Sequence, residues 1–217
     1  MDRHNLDVIG TLAIDFDDVL IPCLEGFVAY CSKHGLANGS LENLDDIAFT
    51  KIFSCDSDKC SELFNKFVDS QEWIDLHNAP PPEICVKTLR AIQDAGYRLV
   101  VVSAREHRFR HLTLHYLDTY FAGLFDAVCL CNYYGIVDES NPRLTKFDVC
   151  YSLGCFALLD DNPKYIKEVE EKGIKGIPFG KYSWTVRHRE LVKTEHIITC
   201  WEELTVEFIT KVRLESI

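Results

Sequence analysis

The chain has 217 residues, 47% of them apolar and 26% charged, with a formal net charge of −11. That length suits one domain carrying a sizeable insert, or two small ones, and the apolar share is enough for a full core. An acidic balance with no Lys/Arg block excludes a surface for non-specific duplex binding, which depends on phosphate neutralisation. An anionic ligand would need a local device: a metal ion, a lysine or backbone amides.

The first ten residues, "MDRHNLDVIG", mix charges of both signs and lack the apolar run of a secretory signal. No window approaches the eighteen or so apolar residues of a membrane span. The expectation is a soluble, cytoplasmic protein. "TLAIDF" then reads as a strand, followed by a helix near Leu24 to His34 and two more around Leu41 to Phe53 and Ser57 to Phe67. "NAPPP", Asn78 to Pro82, punctuates the chain and places proline at a helix start. A regular rhythm follows. Helix "EICVKTLRAIQDAG", closing on Gly96 as a C-terminal cap, leads to strand "YRLVVVSA". Helix "EHRFRHLTLHYLDTYF" leads to strand "FDAVCLC", and "RLTKFDVCYSLG" to "CFALLD". Helix "PKYIKEVEEKG" leads to strand "IKGIPF", and Trp201 to Leu214 form an amphipathic closing helix.

Repeated β-α units with near-continuous apolar strands predict an α/β fold: a parallel sheet with helices on both faces. The ten cysteines show no C-x-x-C spacing. Cys85, Cys150 and Cys155 fall in apolar-periodic segments, as buried thiols do, and Cys55 and Cys60 read as the most exposed pair, where a bridge stays open. The set as a whole reads as reduced structural thiols.

In parallel sheets ligands bind beyond the carboxyl ends of the strands, so polar residues there carry meaning. They are Asp15-Phe16-Asp17-Asp18-Val19 after the first strand, Ser103-Ala104-Arg105 after "LVVV", and Asp160-Asp161-Asn162 after "FALL". Lys146 opens a helix between the last two. Taken singly each has a plain reading: a turn serine, a solvated lysine, or an Asp-Asn N-cap. The four together, in this order, are a specific signal.

That order resembles the haloacid dehalogenase superfamily, whose four motifs these residues match one for one along nearly the whole chain. The resemblance implies a haloacid dehalogenase-like Rossmannoid fold and a phosphatase working through an aspartyl-phosphate. Asp15 would be the nucleophile, and Asp17 would protonate the leaving oxygen and later take a proton from water. Lys146 would face the nucleophile and the phosphoryl oxygens, and Ser103 with the amides after Asp15 and Ser103 would cradle phosphate, with Arg105 on a second substrate oxygen. Two carboxylates and a phosphate repel: at about 5 Å and an effective dielectric near 20, each pair costs roughly 3 kcal/mol. An all-oxygen site for Mg²⁺ removes that penalty. Its implied ligands are the Asp15 carboxylate, the Asp17 backbone carbonyl and the Asp160/Asp161 pair, with Asp161 weighted slightly above Asp160. Asp17 separates this pattern from the metal-independent carbon-halogen hydrolases, which typically lack it. Asp18 departs from the pattern, because glycine is common there in related phosphatases.

Spacing gives the access route. Between Asp17 and Ser103 lie 85 residues, against 42 between Ser103 and Lys146. The insert is therefore early: a helical cap over residues 24–77, with a discontinuous core of 1–23 and 78–217. A water-excluding cap suits small phosphorylated metabolites. Within the early-capped group, "WIDLHNAPPPEICVKTLRAIQDAGYRLVVVSAR" and "IPFGKYSWT" are similar to the 5'(3')-deoxyribonucleotidases, with Thr185 where asparagine is expected. That implies a nucleoside monophosphate substrate. Aromatic residues Phe27, Phe49, Phe53, Phe64, Phe67 and Trp73 could stack a base or pack the cap's own core, the latter being the commoner use of any one of them. A sugar phosphate is the alternative substrate, and a non-catalytic binder of a phospholigand or protein is the alternative class. His107, His111 and His115 have metal-capable spacing but read better as a partly exposed helix face.

Overall fold

The computed structural model describes residues 8–37, 41, 48–182, 184–185 and 197–216. Five parallel strands form one sheet: β1 (Gly10–Ile14), β2 (Tyr97–Ser103), β3 (Ala127–Leu130), β4 (Cys155–Asp160) and β5 (Lys175–Pro178), in the order β3-β2-β1-β4-β5. The α/β expectation holds. Side chains alternate faces along each strand with period two. Leu12 and Ile14 of β1 join Leu99, Val101 and Leu159 in one core, while Ala13 joins Val100, Val102 and Leu158 in the other. Because both faces are covered, the strands read as unbroken apolar runs.

The first face packs α5 (Glu83–Asp94), α6 (Arg110–Tyr120) and the C-terminal helix Val206–Leu214. The second packs α7 (Lys146–Ser152) and α8 (Pro163–Glu170). After α5 the chain reverses at Gly96, whose φ of 97° is open to glycine without strain. A short 3-10 turn, His107–Phe109, precedes α6, so the predicted single helix from Glu106 begins as a tighter turn. Of that helix's histidines, His111 and His115 are exposed on α6, while His107 in the turn bonds the Leu130 carbonyl and Asn141.

Between β1 and α5 lie four helices: α1 (Cys23–Lys33), α2 (Phe49–Ile52), α3 (Ser57–Val68) and α4 (Gln71–Asn78). The helix expected from Leu41 falls partly on residues 42–47, outside the described ones. Sequence periodicity did not single out α4, whose start is set by Ser70: its Oγ accepts from the Trp73 amide at 3.3 Å. These helices share an apolar cluster distinct from the two on the sheet, which Trp184 joins and against which Phe109, Leu112 and Tyr182 pack. Phe27 is its centre, with ring centroids of Phe49, Phe53, Phe64 and Phe67 4.9–5.4 Å away. At roughly 1.5–3 kcal/mol per buried large apolar side chain, this cluster can hold the helical layer together.

Phe27, Phe53, Phe67 and Trp73 are buried there, so these rings pack against one another rather than facing a ligand. All ten cysteines are free thiols. Cys60 is buried, which corrects the expectation of an exposed Cys55/Cys60 pair: α3 turns Cys60 inward beside Leu63, and its sulfur lies 3.1 Å from that of Cys55. Among the described residues no helix is long and apolar enough to cross a membrane.

Candidate active site

Register decides which side chains meet. Ile14 of β1 pairs with Val101 on one side and Leu159 on the other, and the Asp15 amide donates to the Leu159 carbonyl at 2.9 Å. All strands point the same way, so Asp15, Ser103 and Asp160 emerge on one edge. β1 and β4 also flank the place where the winding of the sheet reverses, the usual ligand crevice in such folds.

Asp15, Asp160 and Asp161 are buried there, and one carboxylate oxygen from each lies within 4.8 Å of the others. Lys146, the first residue of α7, sits among them with 1% of its side chain exposed. Its Nζ is 2.7 Å from Asp15 Oδ2 and 2.6 Å from Asp160 Oδ2. Thr145 fixes this helix start, its Oγ1 accepting from the Asp148 amide. Asp15 Oδ1 accepts from the Phe16 amide at 2.7 Å, and Asp160 Oδ1 from the Asn162 amide at 2.9 Å. Asp161 is different: its Oδ2 is buried with no hydrogen-bond partner. Thr185 anchors this residue's backbone, donating to the Asp161 and Phe179 carbonyls at 3.5 and 3.3 Å.

Three carboxylates face one ammonium, an excess of two negative charges when all ionise. Burial, with Asp160 and Asp17 adding to it, pushes Asp15 up to about 7 against the opposing Lys146 charge. Burial likewise raises Asp160 and lifts Asp161 well above the usual carboxylate range. Burial disfavours the Lys146 ammonium, but the Asp15 and Asp160 carboxylates outweigh it and raise that group. A bare carboxyl raised in the folded state costs stability as pH rises from its ordinary 3.8 through about 7, since the folded protein then holds more protons than the unfolded chain. A divalent cation held there would relieve the same repulsion and displace those protons. The cluster fits a hard dication: all donors are oxygen, the charge excess is two, and one buried oxygen lacks a partner.

Asp17 lies just outside this cluster and faces a different group. Arg105 donates to it through Nε, at 3.1 and 2.9 Å to the two oxygens, and through Nη2 at 2.8 Å. Burial raises Asp17, but the Arg105 guanidinium outweighs it and holds the carboxyl below its ordinary value. Arg105, expected on a substrate oxygen, is thus turned onto Asp17. Its Nη1 meets His77 Nε2 at 2.9 Å and Thr113 Oγ1 at 3.0 Å, and its Cζ lies over the Phe16 and Trp73 rings, 4.2 and 5.0 Å from their centroids. Sequence reasoning did not single out His77 and Thr113. The available signal was Trp73 and His77 at i and i+4, one face of a helix turned toward the strand ends.

Ser103, fully buried, accepts from the Arg105 amide at 3.3 Å, which holds its hydroxyl at the mouth. Ala104 is half-buried, and its carbonyl accepts from the Tyr133 amide. Asp18 has φ of 58°, the left-handed region where glycine is at ease and aspartate is tolerated. Its Oδ1 accepts from the Leu24 amide at 2.8 Å, tying the loop to the start of α1. The glycine-type turn therefore survives the departure from the family pattern.

No protein-family model matches the chain, and no curated protein matches it. Solved structures do. A predicted phosphatase from Clostridium acetobutylicum superposes with a TM-score of 0.66 at 15% identity, covering 94% of this chain and 100% of that one. A haloacid dehalogenase-like family hydrolase from Streptococcus pneumoniae gives 0.62 at 12% identity, covering 91% and 97%. A haloacid dehalogenase family hydrolase from Deinococcus radiodurans, with bound phosphate and sodium, gives 0.57 at 14% identity, covering 96% and 98%. The fold is haloacid dehalogenase-like. At these identities the likeness shows the fold alone.

Proposed function

We propose that the chain is a Mg²⁺-dependent phosphomonoesterase acting on a small metabolite through an aspartyl-phosphate on Asp15. The observation that carries this reading is the buried trio of Asp15, Asp160 and Asp161 around Lys146, with Asp161 Oδ2 left unpartnered. Asp15, the Asp17 backbone carbonyl and the Asp160/Asp161 pair would hold the cation, Asp161 directly. Bound there, the cation neutralises the phosphate and lowers the repulsion between two anions that must approach.

Asp15 attacks phosphorus while Asp17 hands a proton to the leaving oxygen, and Asp17 then takes a proton from the water that opens the acyl-phosphate. The Arg105 contact favours the ionised Asp17 that the second half-reaction uses, which makes the protonated form of the first half the costlier of the two. Lys146 holds positive charge against Asp15 and the equatorial phosphoryl oxygens, and Ser103 with the amides following Asp15 and Ser103 receives phosphate. The helical layer α1–α4 acts as a cap, excluding water and limiting substrate size.

Two substrate classes remain in play. The similarity of "WIDLHNAPPP" and "GKYSWT" to deoxyribonucleotidases favours a nucleoside monophosphate. The burial of Phe27, Phe53, Phe67 and Trp73 against each other favours a sugar phosphate or another non-nucleotide ester, because those rings are not open to a base. A panel of nucleoside monophosphates and sugar phosphates, with p-nitrophenyl phosphate as a generic ester and phosphate release as readout, tests both. Expected is Mg²⁺-dependent release from the generic ester and strong preference for one class. Equal, poor turnover of every nucleotide removes the nucleotidase reading, and no release from any ester removes phosphatase activity in favour of a binding module.

A further inference from the structure

We propose that Arg105 is the positioning residue of Asp17, and that helix α4 sets its place through His77. The inference deepens the phosphomonoesterase reading and rests on it. Asp17 follows β1 on a short loop, and its side chain is 28% exposed, so without a partner it can sample several rotamers at the mouth. A planar fork donating to both carboxylate oxygens removes that freedom, which a lysine could not do. The fork is itself immobilised: its Cζ lies 4.2 Å from the Phe16 ring centroid and 5.0 Å from that of Trp73, and Thr113 on α6 accepts from Nη1.

The remaining contact crosses to the helical layer. His77 Nδ1 lies 2.8 Å from the Trp73 carbonyl, an acceptor, so Nδ1 carries the proton and Nε2 is free to accept from Arg105. Burial and the neighbouring guanidinium lower His77 to about 4, which keeps it neutral and this tautomer intact at physiological pH. A chain of contacts thus runs from α4, through a neutral imidazole and a buried guanidinium, to the carboxyl that moves the proton. Displacing α4 displaces the acid.

The step at stake is cleavage of the ester P–O bond as the Asp15 oxygen bonds phosphorus, with the Asp17 proton passing to the departing oxygen. An alkoxide needs that proton, whereas p-nitrophenolate leaves without it. The test compares kcat/KM, which reports the steps up to departure of the alcohol and leaves out the shared hydrolysis of the aspartyl-phosphate, for p-nitrophenyl phosphate and a simple alkyl phosphate in wild type, Arg105→Lys and His77→Leu, with circular dichroism melting to establish folding. Misplacing a general acid costs on the order of 100-fold. Arg105→Lys is therefore expected to lose about 100-fold on the alkyl ester and less than about fivefold on the aryl ester, and His77→Leu about tenfold on the alkyl ester alone. If Arg105→Lys does not fold, His77→Leu decides. Equal losses on both esters, or none, overturn the positioning role while leaving the phosphatase standing. A wild type inactive on both esters overturns the phosphatase reading, and this inference with it.

Discussion

Asp15→Asn is expected to abolish phosphate release, by at least about 10⁴-fold, while leaving a folded protein. The proposed nucleophile is a carboxylate oxygen, and a carboxamide of the same shape cannot form the acyl-phosphate. The fold should tolerate the change. Lys146 keeps its 2.6 Å contact with Asp160, the amide occupies the same volume, and one costly buried charge disappears. Steady-state kinetics on p-nitrophenyl phosphate with a melting curve for each protein makes the check. Turnover within about tenfold of wild type would mean that the attacking group lies elsewhere.

Lys146→Met should be strongly destabilising. Nζ sits between two carboxylates at 2.7 and 2.6 Å, and removing it leaves buried like charges with no counter-ion. Breaking one side of a buried ion pair costs about 3–5 kcal/mol, which for a chain of this size lowers Tm on the order of 10 °C. Exposed pairs set the contrast. Lys167 faces Glu171 at 3.8 Å with about two thirds of each side chain in water, so Lys167→Met should stay within about 0.5 kcal/mol.

The sign with pH follows from the carboxyls. Burial already raises Asp15 and Asp160, and loss of the ammonium that opposes this raises them further. The variant's deficit should therefore grow from pH 5 to pH 8 and shrink in acid, as the carboxyls take up protons. Activity should fall by about 10²–10³ as the charge proposed to face the phosphoryl oxygens disappears. A Tm unchanged at pH 8 would contradict the burial and pairing described for this lysine.

Much of this was legible in the sequence because strand ends in a parallel sheet are fixed by the apolar runs before them. "TLAI", "LVVV" and "FALL" end where Asp15, Ser103 and Asp160 begin, and parallel pairing puts all three on one edge. The helix starts at Lys146 and Pro163 carried their own caps in Thr145 and Asn162. Contacts without a local pattern were illegible. Arg105 reaches Asp17, 88 positions away, and His77, 28 away, and no periodicity records such pairings. Helix α4 was missed because its eight residues, Gln71–Asn78, run straight into proline punctuation that reads as loop. The rings of the helical layer could be read as binding surface or core, and tertiary packing alone buries Phe27, Phe53, Phe67 and Trp73 while leaving Phe49 and Phe64 half-buried.

Everything proposed for the chemistry depends on one dication shared among Asp15, Asp160 and Asp161. Calorimetric titration of Mg²⁺ into the metal-free protein, in two buffers of different ionisation enthalpy, tests this most directly. Expected is binding that releases protons near pH 6.5, tightens from pH 5.5 to pH 7.5, and weakens about tenfold or more in Asp161→Asn. Binding that neither releases protons nor notices Asp161→Asn, or no binding at millimolar Mg²⁺, would contradict the shared dication.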